Sequence, residues 1–229
     1  MLIIPSLVEK IPEDLFAVMQ KLSPYYQQFQ VDIEDGIYIP NKTLSVSDIQ
    51  RYLLNRTAPK NLVYDFHLMV KEYEKEIEKI DILKKILNIQ SILVHTSLRP
   101  DYQMLCKKYP SFAFGLVINP REDVGVVASQ YDLNTISIIQ IMTVTPGPQG
   151  QPFIPEALQK IEQLRKMGFR SKIYLDGAIN EKTIPIITSL KYKPDVLCPG
   201  SYLAKTDRLE ERVEYLTVET GHAPSLREQ

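Results

Sequence analysis

The sequence predicts an α/β fold, a single closed (β/α)8 barrel, on three observations. Eight short apolar, β-branched runs recur along the chain. Stretches with helical periodicity fill most of the gaps between them, and the whole is 229 residues long. Strand–helix alternation calls for a parallel sheet covered by helices, and eight such units close into a TIM barrel, which takes about 250 residues. An open, doubly wound sheet is the alternative that the same pattern allows.

The elements follow in order. The run Leu2–Pro5 precedes Val8–Leu22, where Leu15, Val18, Met19 and Leu22 share one helical face. Pro12 ahead of Glu13 and Asp14 suits a first helical turn. Phe29–Ile33 leads to Val46–Leu54, and Leu62–His67 leads to Glu72–Leu87, with Ile77, Ile80, Leu83 and Leu87 on its apolar face. Ser91–His95 pairs with Tyr102–Tyr109, and Phe112–Ile118 with Val124–Ser129. Thr135–Met142 is followed by Pro155–Met167, which opens on a proline and a glutamate as a first turn should. Lys172–Leu175 precedes Glu181–Leu190, and Val196–Cys198 precedes Arg208–Val218. No Gly/Ser tract or low-complexity block marks a linker. Residues 1–218 therefore read as one barrel domain and 219–229 as a polar C-terminal tail.

Composition narrows the function. Lys plus Arg number 27 against 28 Asp plus Glu, a net charge of -1 with no sustained basic block, which argues against nucleic acid as a partner. No apolar run approaches the roughly 18 residues that span a bilayer. The opening MLIIPSLVEKIPED lacks a basic region before its apolar stretch, so a membrane is not expected either. Cys106 and Cys198 lie far apart and form neither a disulfide framework nor a metal pair, which points to a reducing, cytoplasmic setting. No helix shows an unmistakable exposed apolar stripe, so a homo-oligomer is left open. With only three histidines in the chain, site chemistry has to lean on carboxylates.

In a parallel barrel, reactive groups sit at the C-terminal ends of the strands. The runs here end in Ser6, in Asp32 with Glu34 and Asp35 beyond, in His67, in His95, in Met142 before Thr143, in Asp176, and in Gly200-Ser201. Strand alternation puts Gln30, Asp32 and Glu34 on one face, and Asp65, His67 and Met69 on another. Asp32 and Asp176 belong to the second and seventh runs, three steps apart around an eight-strand ring, so their carboxylates face each other across the barrel mouth. Two such carboxylates can take a proton from one face of a carbon and return one to the other, inverting a stereocentre next to a carbonyl. A metal held by Asp32, His67 and Asp176 would polarise that carbonyl and stabilise the enediolate. Singly, each aspartate reads as a helix cap or turn former and each histidine as a satisfied barrel-mouth residue; their joint placement carries the reading. Four of the nine glycines, Gly147, Gly150, Gly177 and Gly200, fall in the loops after the last three runs, where barrels commonly bind phosphate.

These residues resemble the ribulose-phosphate 3-epimerase family over roughly Leu2 to Lys205. The matching segments are IIPSL, VDIEDGIYIPNKTL (Val31–Leu44), DFHLMV (Asp65–Val70), GLVINP (Gly115–Pro120), IMTVTPGPQGQPFIP (Ile141–Pro155), YLDGAIN (Tyr174–Asn180) and PGS (Pro199–Ser201). The resemblance implies a 3-epimerase interconverting ribulose 5-phosphate and xylulose 5-phosphate, with Asp32 and Asp176 as acid/base pair and, with His67, as ligands of a divalent cation (zinc, iron, manganese or magnesium). It implies Ser6, His95, Met69 and Met142 at the substrate, and Gly147, Gly177, Gly200 and Ser201 near its phosphate.

The chain also departs from the family's pattern. Gln30 stands where the family has a fourth metal-ligating His, and Glu34 where it has Met, so Gln30 or Glu34 becomes a candidate fourth ligand. The loop reads GPQGQ, with Pro148 and Gln149 in place of an aromatic and a glycine, and Ala178 replaces a glycine. Two other readings compete. A phosphosugar decarboxylase or synthase would need a DxKxxD signature on the third run, where this chain has DFHLMV. A catalytically degenerate barrel that binds a sugar phosphate or acts as an interaction partner would accommodate Gln30 and the altered loop.

Overall fold

The computed structural model of the chain describes residues 1–57, 59 and 61–222. Residues 223–229 of the expected tail lie outside the described residues. The strands are β1 (Leu2–Ile3), β2 (Ser6–Leu7), β3 (Gln28–Glu34), β4 (Val63–Met69), β5 (Asn88–His95), β6 (Ala113–Ile118), β7 (Ile138–Met142), β8 (Lys172–Asp176) and β9 (Val196–Cys198). All pairings between neighbours are parallel, in the order β1-β9-β8-β7-β6-β5-β4-β3-β2.

β1 and β2 are two halves of the first strand, and they close the barrel. β1 pairs with β9 while β2 pairs with β3. Pro5, between them, has no N–H to offer, but its carbonyl accepts from the Gln30 N–H at 2.9 Å. Ile4 and Ser6 donate the other way, to Leu197 and Pro199 at 3.0 and 3.2 Å. The expected eight-stranded closed barrel is therefore the observed one, with its first strand bent at a proline.

The helices are α1 (Pro12–Leu22), α2 (Val46–Leu53), α3 (Tyr73–Leu83), α4 (Tyr102–Lys108), α5 (Val124–Gln130), α6 (Gln159–Lys166), α7 (Ile184–Thr188), α8 (Ser201–Ala204) and α9 (Leu209–Thr220). Their ends differ from the expected stretches for local reasons. Pro12 occupies the first turn of α1, so Val8–Ile11 stay outside it. Ser45 and Asp48 form a reciprocal capping box that starts α2. Thr135 belongs to a 3-10 turn, Leu133–Thr135, before β7 rather than to the strand itself. α9 runs two residues past 218, and Gly221 ends it in the left-handed region with φ +70°. The amino group of Met1 donates to the Thr220 carbonyl at 2.7 Å, tying the chain's first residue to that end. The short α8 was not expected. Among the described residues no helix is long and apolar enough to cross a membrane.

Side-chain alternation sorts the core into two layers. Phe29, Val31, Phe66, Leu68, Ile92, Phe114, Leu116, Ile139, Ile141, Ile173 and Leu175 point outwards and pack under the helices. Ile4, Leu93, Val117, Ile138, Tyr174 and Val196 fill the barrel itself. Gly115 makes that interior fit: a Cβ there would collide with the Leu93 side chain and approach Ile138 Cβ to 3.0 Å. Replacing Gly115 by Ala is expected to destabilise the fold by about 1–3 kcal/mol through overpacking, measured as a lower midpoint in urea at unchanged slope.

Candidate active site

Parallel register assembles the site. Asp32 on β3 lies opposite His67 on β4, and on the far side Met142 on β7 lies opposite Asp176 on β8. The chain thus brings together residues up to 144 positions apart (176 − 32) at one end of the barrel. Asp32, His67 and Asp176 are all buried, and one donor atom of each lies within 4.8 Å of the others. His67 Nδ1 is 3.1 Å from Asp32 Oδ1 and 3.5 Å from Asp176 Oδ2. Its other nitrogen, Nε2, is 2.9 Å from Nε2 of His95.

Burial and mutual repulsion set the charges. Desolvation, and then the charge of Asp176, push the Asp32 carboxyl up to about 6, against hydrogen bonds from His67 and Gln30. Burial works against protonation of His67, but hydrogen bonds to Asp176 and Asp32 and the charges of both outweigh it and raise its pKa to about 9. Burial, together with the neighbouring His67, holds His95 well below the usual histidine range. His95 is therefore neutral, and the Nε2–Nε2 contact requires His67 to donate and His95 to accept. That bond orients the His67 ring with Nδ1 towards the carboxylates, as a second imidazole behind a metal ligand would.

The donor set fits a divalent cation. Two buried carboxylates beside one imidazole nitrogen leave a concentration of negative charge that a cation would compensate, and oxygen with imidazole donors suits the first-row divalent metals. The candidate fourth ligands fare differently. Gln30 reaches the cluster through its amide nitrogen, 3.0 Å from Asp32 Oδ1 and 2.6 Å from Asp176 Oδ2, while its oxygen accepts from the Cys198 thiol at 3.6 Å. Glu34 does not join the trio. Its carboxylate accepts from the Asn41 side chain, and burial followed by the charge of Asp32 raises it to about 7. The expectation that Glu34 replaces the missing imidazole is corrected accordingly: Asn41, in the loop after β3, engages it.

A cavity of about 420 Å³ opens beside the two aspartates. Ser6, Glu34, Met69 and Met142 line it, as do Gly147, Gly177, Gly200 and Ser201 from the three glycine-bearing loops. All the expected substrate residues are thus on its wall except His95. That residue is fully buried, its ring 5.0 Å from the ring of Tyr38 and its Nε2 against His67, so it meets a metal-ligand candidate and Tyr38 rather than the cavity where it was expected. The loop after β8 turns on two successive left-handed residues, Gly177 at φ +118° and Ala178 at φ +52°. Only glycine fits at 177, where a Cβ would come within 2.7 Å of Val144. Ala178 is held in its less comfortable conformation by Asn180 and Thr183, whose side chains donate to its carbonyl at 2.9 and 2.7 Å. In the altered loop, Gln149 accepts from Lys205, just beyond α8.

The sequence reading missed two residues of this site. Gln140 is fully buried, and its amide nitrogen lies 3.1 Å from Asp176 Oδ2 and 3.2 Å from His67 Nδ1. A lone amide inside IIQIM, on the same face as Met142, was the available signal. In the sequence Cys198 bears only on the redox setting, yet strand alternation places it inward beside Gln30.

Comparisons with known proteins point to one family. A sequence profile described as "Ribulose-phosphate 3 epimerase family" matches residues 2–203. The chain is 29% identical to the ribulose-phosphate 3-epimerase of Methanocaldococcus jannaschii over 195 residues, 82% of this chain and 77% of the relative. It is 35% identical to that of Synechocystis over 157 residues, 65% of this chain and 64% of the relative. Among solved structures, 3-hexulose-6-phosphate synthase from Salmonella typhimurium superposes with a TM-score of 0.65 at 11% identity, covering 96% of this chain and 98% of that one, a likeness of fold alone. In the chelator-treated protein, histidine NMR is expected to show His67 titrating near pH 9 while His95 stays neutral from pH 6 to 8. Titration of His67 near the ordinary value of about 6.5 would contradict the carboxylate contacts described above.

Proposed function

This chain belongs to the ribulose-phosphate 3-epimerase family, and from that premise we propose that it interconverts D-ribulose 5-phosphate and D-xylulose 5-phosphate by inverting carbon 3. The observation that carries the reading is the pair of buried aspartates, Asp32 and Asp176, from separate arcs of the barrel, both on the wall of one cavity. A divalent cation held by Asp32, His67 and Asp176 would polarise the substrate's carbonyl and so acidify the neighbouring C–H.

The chain's own residues supply the rest. One aspartate takes the C3 proton from its face of the substrate, and the other, entering protonated, returns a proton to the opposite face. In the reverse direction their roles exchange. Met69 and Met142 offer the planar enediolate apolar walls that keep water from competing for its carbon. His95 acts through His67, keeping its Nε2–H engaged so that Nδ1 faces the aspartates. Backbone N–H groups around Gly177, Gly200 and Ser201, with Gly147 alongside, suit the substrate's phosphate at the far end of the cavity. Zinc, iron, manganese and magnesium all remain compatible with two carboxylates and one imidazole. The two free cysteines, Cys106 and Cys198, suit a cytoplasmic enzyme.

Ribulose 5-phosphate turnover with a panel of divalent metals tests the proposal. Asp32→Asn and Asp176→Asn are each expected to lower kcat by about 10²–10⁴-fold while leaving the circular dichroism spectrum unchanged. Absence of turnover by the unmodified protein, with every metal and on related ketose phosphates as well, would sink the enzyme reading in favour of a sugar-phosphate-binding barrel.

A further inference from the structure

We propose that Gln30 is a built-in competitor of the metal: its amide nitrogen bridges the two aspartates and has to swing away before a cation is held. The inference rests on the reading of Asp32, His67 and Asp176 as a cation site.

Three observations fix the amide. Gln30 is fully buried and faces the barrel interior from β3. Its nitrogen carries two hydrogens, and two carboxylate oxygens lie 3.0 and 2.6 Å away, one for each. Ionised carboxylates only accept, so the nitrogen and not the oxygen has to face them. At the other end, the Cys198 thiol, with one S–H to give, is 3.6 Å from the amide oxygen. Donor and acceptor sides agree on one orientation.

That orientation is the wrong one for coordination. An amide ligates a hard or borderline cation through its oxygen, whereas Gln30 aims two N–H dipoles at the space between the metal-donor atoms. Entry of a cation then breaks two hydrogen bonds to charged oxygens, bonds roughly twice as strong as neutral ones, as well as the weak thiol contact. In return, the amide offsets part of the repulsion between the aspartates. The consequence runs against intuition. Truncating Gln30, which removes a potential ligand, tightens cation binding instead of weakening it.

The test uses the chelator-stripped full chain and manganese(II), titrated by calorimetry and by the electron paramagnetic resonance signal of the free ion. Gln30→Ala is expected to bind manganese about tenfold more tightly than the unmodified protein. It is also expected to melt lower without metal, so that manganese raises its Tm by more. Gln30→Asn, whose shorter amide cannot span both aspartates, carries the same test if the alanine variant does not fold. Weaker or unchanged manganese affinity in the folded variants overturns the competitor role while leaving the cation site standing. Failure of the unmodified protein and the variants alike to bind manganese or zinc overturns both.

Discussion

Two carboxylates enclosed at the mouth of a barrel repel each other far more strongly than the same pair would in water, because little solvent screens them there. The arrangement around Asp32 and Asp176 answers that repulsion. The imidazole of His67 lies against both. The amide nitrogens of Gln30 and Gln140 donate to them from two different strands. His95, kept neutral by burial, fixes the His67 ring from behind. The proposed transfer of protons between opposite faces of a carbon needs both carboxylates close to the substrate. The surrounding donors, and a cation when bound, allow them to coexist.

The fold supplies the rigidity that such a cluster demands. Closure through the split first strand locks β3 between β2 and β4, so Gln30 and Asp32 cannot drift relative to Ser6 and His67. Beneath the polar layer, Leu93, Val117, Ile138 and Tyr174 fill the barrel and leave the reactive groups at its rim. The loop after β3 is fastened in turn. Asp35 accepts from the N–H groups of Ile37, Tyr38 and Lys71, and the Tyr38 hydroxyl meets Ser97 at 2.6 Å and accepts from Asn119. One side of the mouth is thereby braced across four strand-end loops, and the other is the cavity walled by the glycine loops.

What could be read from the sequence follows from local rules. Period-two alternation along VDIED and DFHLM puts Asp32 and His67 inward, and the strand count puts Asp176 across the ring from Asp32. The first needs only the residue's own strand, and the second only the order of strands along the chain. The features that escaped depend on partners far away in the chain. Gln140 belongs to the site because Asp176 and His67 come to it from other strands, 36 and 73 residues distant. Glu34 faces the cavity as alternation requires, yet Asn41 draws its carboxylate away from the cluster. His95 faces inward too, but it is spent on His67 and Tyr38, from other segments of the chain, and no strand pattern encodes those contacts.

The sequence by itself determined the eight strand–helix units, the barrel they close, the inward aspartates and histidine, and the glycine loops. Hydrophobic periodicity and turn chemistry act over a few residues and are written in the order of the letters. Only the tertiary structure decided where the first strand breaks at Pro5, which histidine backs the other, and which way the Gln30 amide turns. Those outcomes depend on hydrogen-bond partners that the barrel's register brings together. For Gln30 the deciding partners are Asp176 and Cys198, 146 and 168 residues along the chain, and an amide's two ends differ only through what they meet.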